Sequence, residues 1–243
     1  MPQRQTRVLI TGATGAIGRA IVKAFACSGA KLSIHYNDNR RLAMSLMKQA
    51  RSQGARAHAI SADLSQIGEP ERLVAESVGN MGGLDLLVHA AASFERTPFG
   101  TVTDEQWMRT AALNMKAPFF LAQEAALAMG KSGGAMIFMS DVAATTPYGG
   151  YLPYCMSKGA IDSLVRGLAK ALAPKISVNA VAPYLVSRPK DVTDREWNEL
   201  LNKSLLRRAA KPDEVASLVK KIAELSDSMT GQVVAVDGGR LLG

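Results

Sequence analysis

The strongest constraint on the fold is an alternation: short runs rich in β-branched residues recur along the chain, each followed by a longer stretch with helical apolar spacing. Predicted strands lie at Arg7–Thr11, Lys31–Tyr36, Arg56–Ser61, Leu84–His89, Ala135–Ser140, Ile176–Ala180 and Val233–Val236, with helices filling the gaps. The segments Thr103–Met129 and Tyr151–Ala173 each read as one long amphipathic helix. Strands that alternate with helices pair in parallel, and helices then cover both faces of the sheet. No repeat, low-complexity tract or Pro/Gly/Ser linker divides the chain. The expectation is an α/β fold, a single domain over residues 1–243 with a doubly wound parallel sheet of seven strands, and ligands at the carboxyl ends of the strands.

Composition narrows the class. Of 243 residues, 47% are apolar and 21% charged, which suits a folded domain with an ample core rather than a disordered chain. The start of the chain lacks a basic-then-apolar leader, and no run approaches the length of a membrane span, so the expected location is cytoplasmic and no membrane partner is expected. Two cysteines, Cys27 and Cys155, lack metal-ligand spacing, and the three histidines, His35, His58 and His89, are scattered, so no metal site is expected. The net charge of +8 raises nucleic acid as a partner. Basic and acidic residues interleave from Arg188 to Lys221, however, and a solvated mixed-charge surface fits this better.

The first predicted strand runs into Thr11-Gly-Ala-Thr-Gly-Ala-Ile-Gly18, which opens a helix. Small residues here let backbone approach a pyrophosphate, whose charge the helix N-terminus favours. Gly12, Thr14, Ala16, Ile17 and Gly18 are the expected cradle, although a tight strand-to-helix turn also selects glycine. Asp63 and Leu64 follow the third strand, where a carboxylate could accept a hydrogen bond from an adenine amino group or simply cap a turn. Ala90 and Ala91 follow the fourth, small enough for a close nucleotide.

Tyr154 and Lys158 are four residues apart and share one helix face. An ammonium beside a phenol favours the phenolate, so the pair is expected to have a lowered tyrosine pKa and to serve as acid and base. Asp141 lies thirteen residues before Tyr154. An ionised carboxylate has only acceptors, so it would oppose the charge developing on a carbonyl oxygen. It could act protonated, or by holding a donor: a water, the Tyr154 hydroxyl, or an N–H of the substrate. That favours nitrogen-rich substrates with a reducible C=N bond. The alternative is that Asp141 only caps a turn.

With these residues in order, the chain resembles the short-chain dehydrogenase/reductase family. The glycine turn, Asp63, Asn114 in LNMKAPF, Tyr154-x-x-x-Lys158, Val178-Asn-Ala-Val-Ala-Pro183 and the ending MTGQVVAVDGG follow the family's order over nearly the whole length. The resemblance implies a Rossmann-type nicotinamide-cofactor fold. In it Tyr154 gives a proton as hydride arrives, Lys158 also holds the nicotinamide ribose, Asn114 helps position a water, and Pro183 and Val186 border the nicotinamide. The family's usual N-N-A-G reads His89-Ala90-Ala91-Ala92 here. At the end of the second strand, Tyr36 replaces the acidic residue that would bind the ribose of NAD, and with Asn37 and Arg40 this favours NADP(H) over NAD(H). Asp38 points the other way.

A narrower resemblance is to the pteridine reductases and dihydromonapterin reductases. The first rests on D-x5-P-x2-G-Y-x2-Y-x3-K from Asp141 to Lys158, Ala92-Ser93-Phe94-x3-Pro98 and the LNMKAPF helix, the second on Asn202-Lys-Ser-Leu205. It implies that Phe94 stacks on a pterin while Asp141 and Tyr151 border the pocket. The basic pair that such enzymes carry in the glycine turn is Gly15-Ala16 in this chain. The segment at about 184–211 is the expected lid, with Trp197 as its apolar contact or as helix packing. The resemblance also implies a homodimer or homotetramer built on the two long helices. The expected function is NADP(H)-dependent hydride transfer to a C=N or C=O bond of a small cyclic substrate of the pteridine type. The alternatives are a 3-oxoacyl-[acyl-carrier-protein] or general carbonyl reductase, and a dinucleotide-binding sensor without turnover.

Overall fold

The structure is a computed structural model that describes residues 5–188 and 192–242. Its centre is a parallel sheet of seven strands in the order β3-β2-β1-β4-β5-β6-β7. The strands are β1 (Arg7–Thr11), β2 (Lys31–Tyr36), β3 (Arg56–Ser61), β4 (Leu86–His89), β5 (Gly134–Met139), β6 (Ile176–Pro183) and β7 (Val233–Val236). The direction of winding reverses between β1 and β4, which opens a crevice at their carboxyl ends. β4 begins later than expected and β6 runs on to Pro183, because backbone pairing with β5 and β7 sets their limits.

Successive strand residues serve opposite faces. Val8 and Ile10 pack into one core layer while Leu9, between them, packs into the other; Val88 and Leu87 divide in the same way. Burial on both sides explains the unbroken apolar runs. One layer lies under helices α1 (Ala16–Ala26) and α8 (Pro212–Glu224). The other lies under α3 (Glu69–Met81), α5 (Ala117–Met129) and α6 (Leu152–Leu172). Helix α2 (Arg40–Ser52) flanks the edge of the sheet, and α7 (Asp194–Leu201) rises from the long connection after β6.

The expected single helix from Thr103 to Met129 is interrupted. α4 (Asp104–Ala111), started by a Thr103–Gln106 capping box, gives way to a π-helical turn at Ala112–Lys116 before α5 continues. The turn centres on Asn114, whose side chain is tied to Ser93 and Ser157, so tertiary hydrogen bonds explain the local change of winding. Among the described residues, no helix is long and apolar enough to cross a membrane, and no cluster of three or more His, Cys, Asp or Glu could hold a metal.

Candidate active site

At the head of the crevice Gly12 has φ of +62°, and a Cβ there would lie 2.6 Å from Ala91 N. A Cβ on Gly18 would lie 2.2 Å from the Gly12 carbonyl oxygen, so both glycines are required by backbone-on-backbone packing. Gly15 differs, since its Cβ would meet nothing closer than 3.4 Å. It precedes α1, which starts with no side-chain cap and no acidic residue in its first turn. Free N–H groups, a positive dipole end and open space fit the pyrophosphate of a dinucleotide. Thr14 and Ile17 are half-buried in this turn, and Ala16 is the first residue of the helix.

Two histidines without an expected role support the cradle from below. Gly12 N–H donates to His35 Nδ1 at 3.1 Å, and His35 Nε2 lies 3.0 Å from the Ala62 carbonyl, so the neutral ring carries its proton on Nε2. Thr11 Oγ1 accepts from Ala90 N–H at 3.2 Å and Ala91 N–H at 3.3 Å and donates to His89 Nδ1 at 2.9 Å. Burial above all, with Lys158 adding to it, lowers the His89 pKa to about 3, so the ring is neutral. Neither role was legible in the sequence, because the partners, Gly12 and Ala62 for His35 and Thr11 for His89, are distant along the chain.

The adenosine end is more open. Tyr36 is buried at the end of β2, with Asn37 and Arg40 exposed beyond it and Asn39 capping α2 through Leu42 N–H. Asp63 accepts from Ser65 N–H and Oγ–H and from the Gln66 amide, and the Ser65 bonds hold its pKa below the usual carboxylate range. The Leu64 side chain is buried with Ile60 and Leu73, which leaves its backbone as the part able to meet a cofactor.

The residues expected to be catalytic gather after β5. Asp141 N-caps a short 3₁₀ turn, its Oδ1 accepting from Ala143 N–H at 2.8 Å and from the Tyr148 hydroxyl at 3.2 Å. Its Oδ2 accepts the Tyr154 hydroxyl at 2.7 Å. Asp141 therefore caps a turn and holds a phenol at once. Burial pushes its pKa up, against the pull of Ala143, Tyr154, Lys158 and Tyr148.

This arrangement corrects the expected behaviour of Tyr154. Its pKa is raised, chiefly by burial and then by Asp141, whereas the sequence pattern had implied a phenolate favoured by Lys158. Lys158 shares the helix face but sends its Nζ to the Met139 carbonyl at 2.7 Å, 5.5 Å from the Tyr154 ring centroid. Burial lowers the Lys158 pKa to about 8, with Asp141 and Asp162 opposing. Tyr154 is thus a protonated acid in this arrangement. The Asn114 side chain accepts from Ser93 N–H at 2.9 Å and donates to the Ser93 carbonyl at 3.0 Å and to Ser157 Oγ at 3.1 Å, binding the Phe94 loop to α6.

Aromatic rings form the outer wall. Phe94, 48% exposed, stacks on Tyr151 at 4.3 Å between centroids with 6° between planes, and meets the Tyr154 ring edge-on at 4.7 Å. Tyr184 tilts against Tyr148 at 6.4 Å, with the Arg240 guanidinium 5.8 Å over its ring. The Phe94 loop is fixed because Thr97 N–H donates to the Gly150 carbonyl at 2.7 Å. Cys155 is buried packing, its sulfur accepting from Tyr148 N–H at 3.3 Å.

Pro183 closes β6, and Val186 packs against the core layer beneath α1 and α8. Of the lid at about 184–211, residues 189–191 lie outside the described residues. Helix α7 within it buries no residue in the core, and Trp197 is half-buried.

Comparison with known proteins agrees with this fold. Residues 12–240 match the family model described as enoyl-(acyl carrier protein) reductase. The chain is 30% identical to the short chain dehydrogenase mdpC of Emericella nidulans, over 95% of this chain and 93% of that protein. It is 33% identical to the hydroxynaphthalene reductase-like protein Arp2 of Metarhizium anisopliae, again over 95% and 93%. The crystal structure of FolM alternative dihydrofolate reductase 1 from Brucella suis in complex with NADP superposes with a TM-score of 0.92 at 30% identity, covering 98% of this chain and 96% of that one. A glycine cradle before an uncapped helix, a tyrosine and lysine on one helix face, and relatives that span the full fold together establish that this chain belongs to the short-chain dehydrogenase/reductase family of NAD(P)-dependent oxidoreductases.

Proposed function

We propose that the protein is an NADP(H)-dependent reductase that delivers hydride to a C=N bond of a small, flat, cyclic substrate, with a dihydropteridine as the best candidate. The observation that carries this reading is the 2.7 Å hydrogen bond from the Tyr154 hydroxyl to Asp141. When bound, the cofactor supplies the hydride. Tyr154 supplies the proton, while Asp141, occupied with Tyr154, supplies no second donor. A carbonyl oxygen has two lone pairs to satisfy as charge develops; an imine nitrogen has one, and a single phenol suffices.

The shape of the pocket supports a flat ring. Four of the chain's five tyrosines, Tyr148, Tyr151, Tyr154 and Tyr184, gather with Phe94 in this region, where planar surfaces stack. The names of the relatives point the same way, since dihydrofolate and hydroxynaphthalene are both fused-ring compounds. Preference for NADP(H) rests on Arg40 beyond the buried Tyr36, with no carboxylate at the end of β2, and on the NADP held by the FolM structure. A second reading, a general carbonyl reductase, is favoured by Gly15 and Ala16, where two polar contacts to a pterin are missing. We further propose a homodimer or homotetramer in the cytoplasm, with exposed Phe119 on α5 and Met156 on α6 as part of the contact face.

The test is NADPH oxidation with dihydrobiopterin, dihydrofolate and an acetoacetyl thioester. Turnover of the dihydropteridines supports the proposal. Turnover of the thioester alone favours the carbonyl reductase, and cofactor binding without any turnover favours a sensor.

A further inference from the structure

The Asp141 carboxylate has two phenols on it, and the reaction as proposed uses only one. Tyr148 stands outside the Tyr154-x-x-x-Lys158 helix, in the loop between the 3₁₀ turn and α6. Its hydroxyl donates to Asp141 Oδ1 at 3.2 Å, the same oxygen that accepts Ala143 N–H at 2.8 Å. Oδ1 is thereby occupied from two sides, and Oδ2 is left to Tyr154.

Tyr148 is itself held in place. Its backbone N–H donates to Cys155 Sγ at 3.3 Å, its carbonyl accepts from Tyr151 N–H at 2.9 Å, and its ring meets Tyr184 and Tyr151. A half-buried phenol fixed at backbone and ring, with its one hydroxyl aimed at a catalytic carboxyl, fits a specific role better than chance packing.

We propose that Tyr148 is a positioning residue of the reaction, which fixes the orientation of the Asp141 carboxyl for Tyr154 and sets the pH range over which the Asp141–Tyr154 pair can deliver a proton. This rests on the reading of Tyr154 as the acid. As Tyr154 gives its proton to the substrate nitrogen, the phenolate it becomes would lie beside Asp141. An ionised carboxylate there repels it, whereas a protonated one hands its own proton from Oδ2 to the phenolate oxygen: the Asp141 O–H bond breaks, the Tyr154 O–H bond re-forms, and one proton is then taken up from solvent. Reduction therefore uses protonated Asp141 and declines as pH rises through its pKa. Tyr148 donates to the ionised form and so lowers that pKa, acting with Ala143 N–H, Tyr154 and Lys158 against burial; Cys155, Tyr151 and Tyr184 are further titratable groups packed into this cluster.

The experiment is an infrared pH titration of the carboxylic-acid band that Asp141→Asn abolishes, run on the NADPH-free full chain with and without Tyr148→Phe. The variant keeps the ring, and an unchanged thermal midpoint and NADPH affinity certify its fold; Tyr148→Leu provides a second variant. Loss of one donor to a carboxylate is expected to raise the Asp141 midpoint by about one pH unit. The descending limb of kcat/KM against pH is expected to move the same way, with KM for NADPH unchanged. An Asp141 midpoint that stays fixed or falls in both variants overturns the proposal. Absence of pteridine turnover would sink the proposed function while leaving the carboxyl titration to decide the role of Tyr148.

Discussion

Tyr154 donates its hydroxyl to Asp141 Oδ2 at 2.7 Å while Lys158, one turn further along α6, donates to the backbone of Met139. The surroundings of the proposed acid are thus defined by its carboxyl neighbour more than by the lysine on its own helix. Removing the hydroxyl with Tyr154→Phe should lower kcat by about 10²-fold or more while NADPH affinity is retained, because proton transfer by a positioned group contributes on that scale. Steady-state kinetics beside a fluorescence titration of NADPH checks both halves.

The glycine turn gives a contrast within four residues. Gly18→Ala places a Cβ 2.2 Å from the Gly12 carbonyl oxygen, so it should lose dinucleotide binding and about 1–3 kcal/mol of stability. Gly15 has φ of −69° and ψ of 165°, which any residue adopts, and open space around it. Gly15→Ala should keep cofactor affinity and stability, as thermal melts with and without NADPH would report.

Arg40 stands exposed in the first turn of α2, beyond the end of β2. If it meets the 2′-phosphate of NADP(H), Arg40→Ala should raise KM for NADPH on the order of tenfold and leave KM for NADH unchanged, as for a lost charge-assisted bond. Equal effects on both cofactors would assign the arginine to the fold instead.

His89 provides a pH signature of folding. Its pKa is lowered to about 3 in the fold from an ordinary value of 6.5, so between these values the unfolded chain binds the extra proton and stability falls as pH drops below 6.5. Denaturant unfolding of His89→Asn should show a shallower acid loss than the parent, by about 1.4 kcal/mol per pH unit at most. The His35 pKa is also lowered by burial, so part of the slope should persist in the variant.

Strand positions were readable in the sequence because burial on both faces leaves unbroken apolar runs such as Val8-Leu9-Ile10, and Tyr154 with Lys158 was readable because helical spacing places them on one face. What could not be read depended on contacts between distant residues. Apolar spacing passes smoothly through Ala112–Lys116, and the π-helical turn there accompanies bonds from Asn114 to Ser93 and Ser157. The direction of the Tyr154 pKa shift is opposite to the one inferred from its helical neighbour, because burial and Asp141 outweigh the lysine. Tyr148 sits in a glycine-rich loop, where only the folded geometry shows its hydroxyl at the Asp141 carboxyl.

The proposed role of Asp141 is to suit the site to nitrogen protonation by withholding a second donor from the substrate. It is tested most directly by the ratio of dihydrobiopterin to ketone turnover with NADPH, in the parent and in Asp141→Ser. The ratio should fall by about tenfold or more, with pterin reduction lost and ketone reduction level or higher, since a serine hydroxyl restores a donor to the pocket. An unchanged ratio would contradict it.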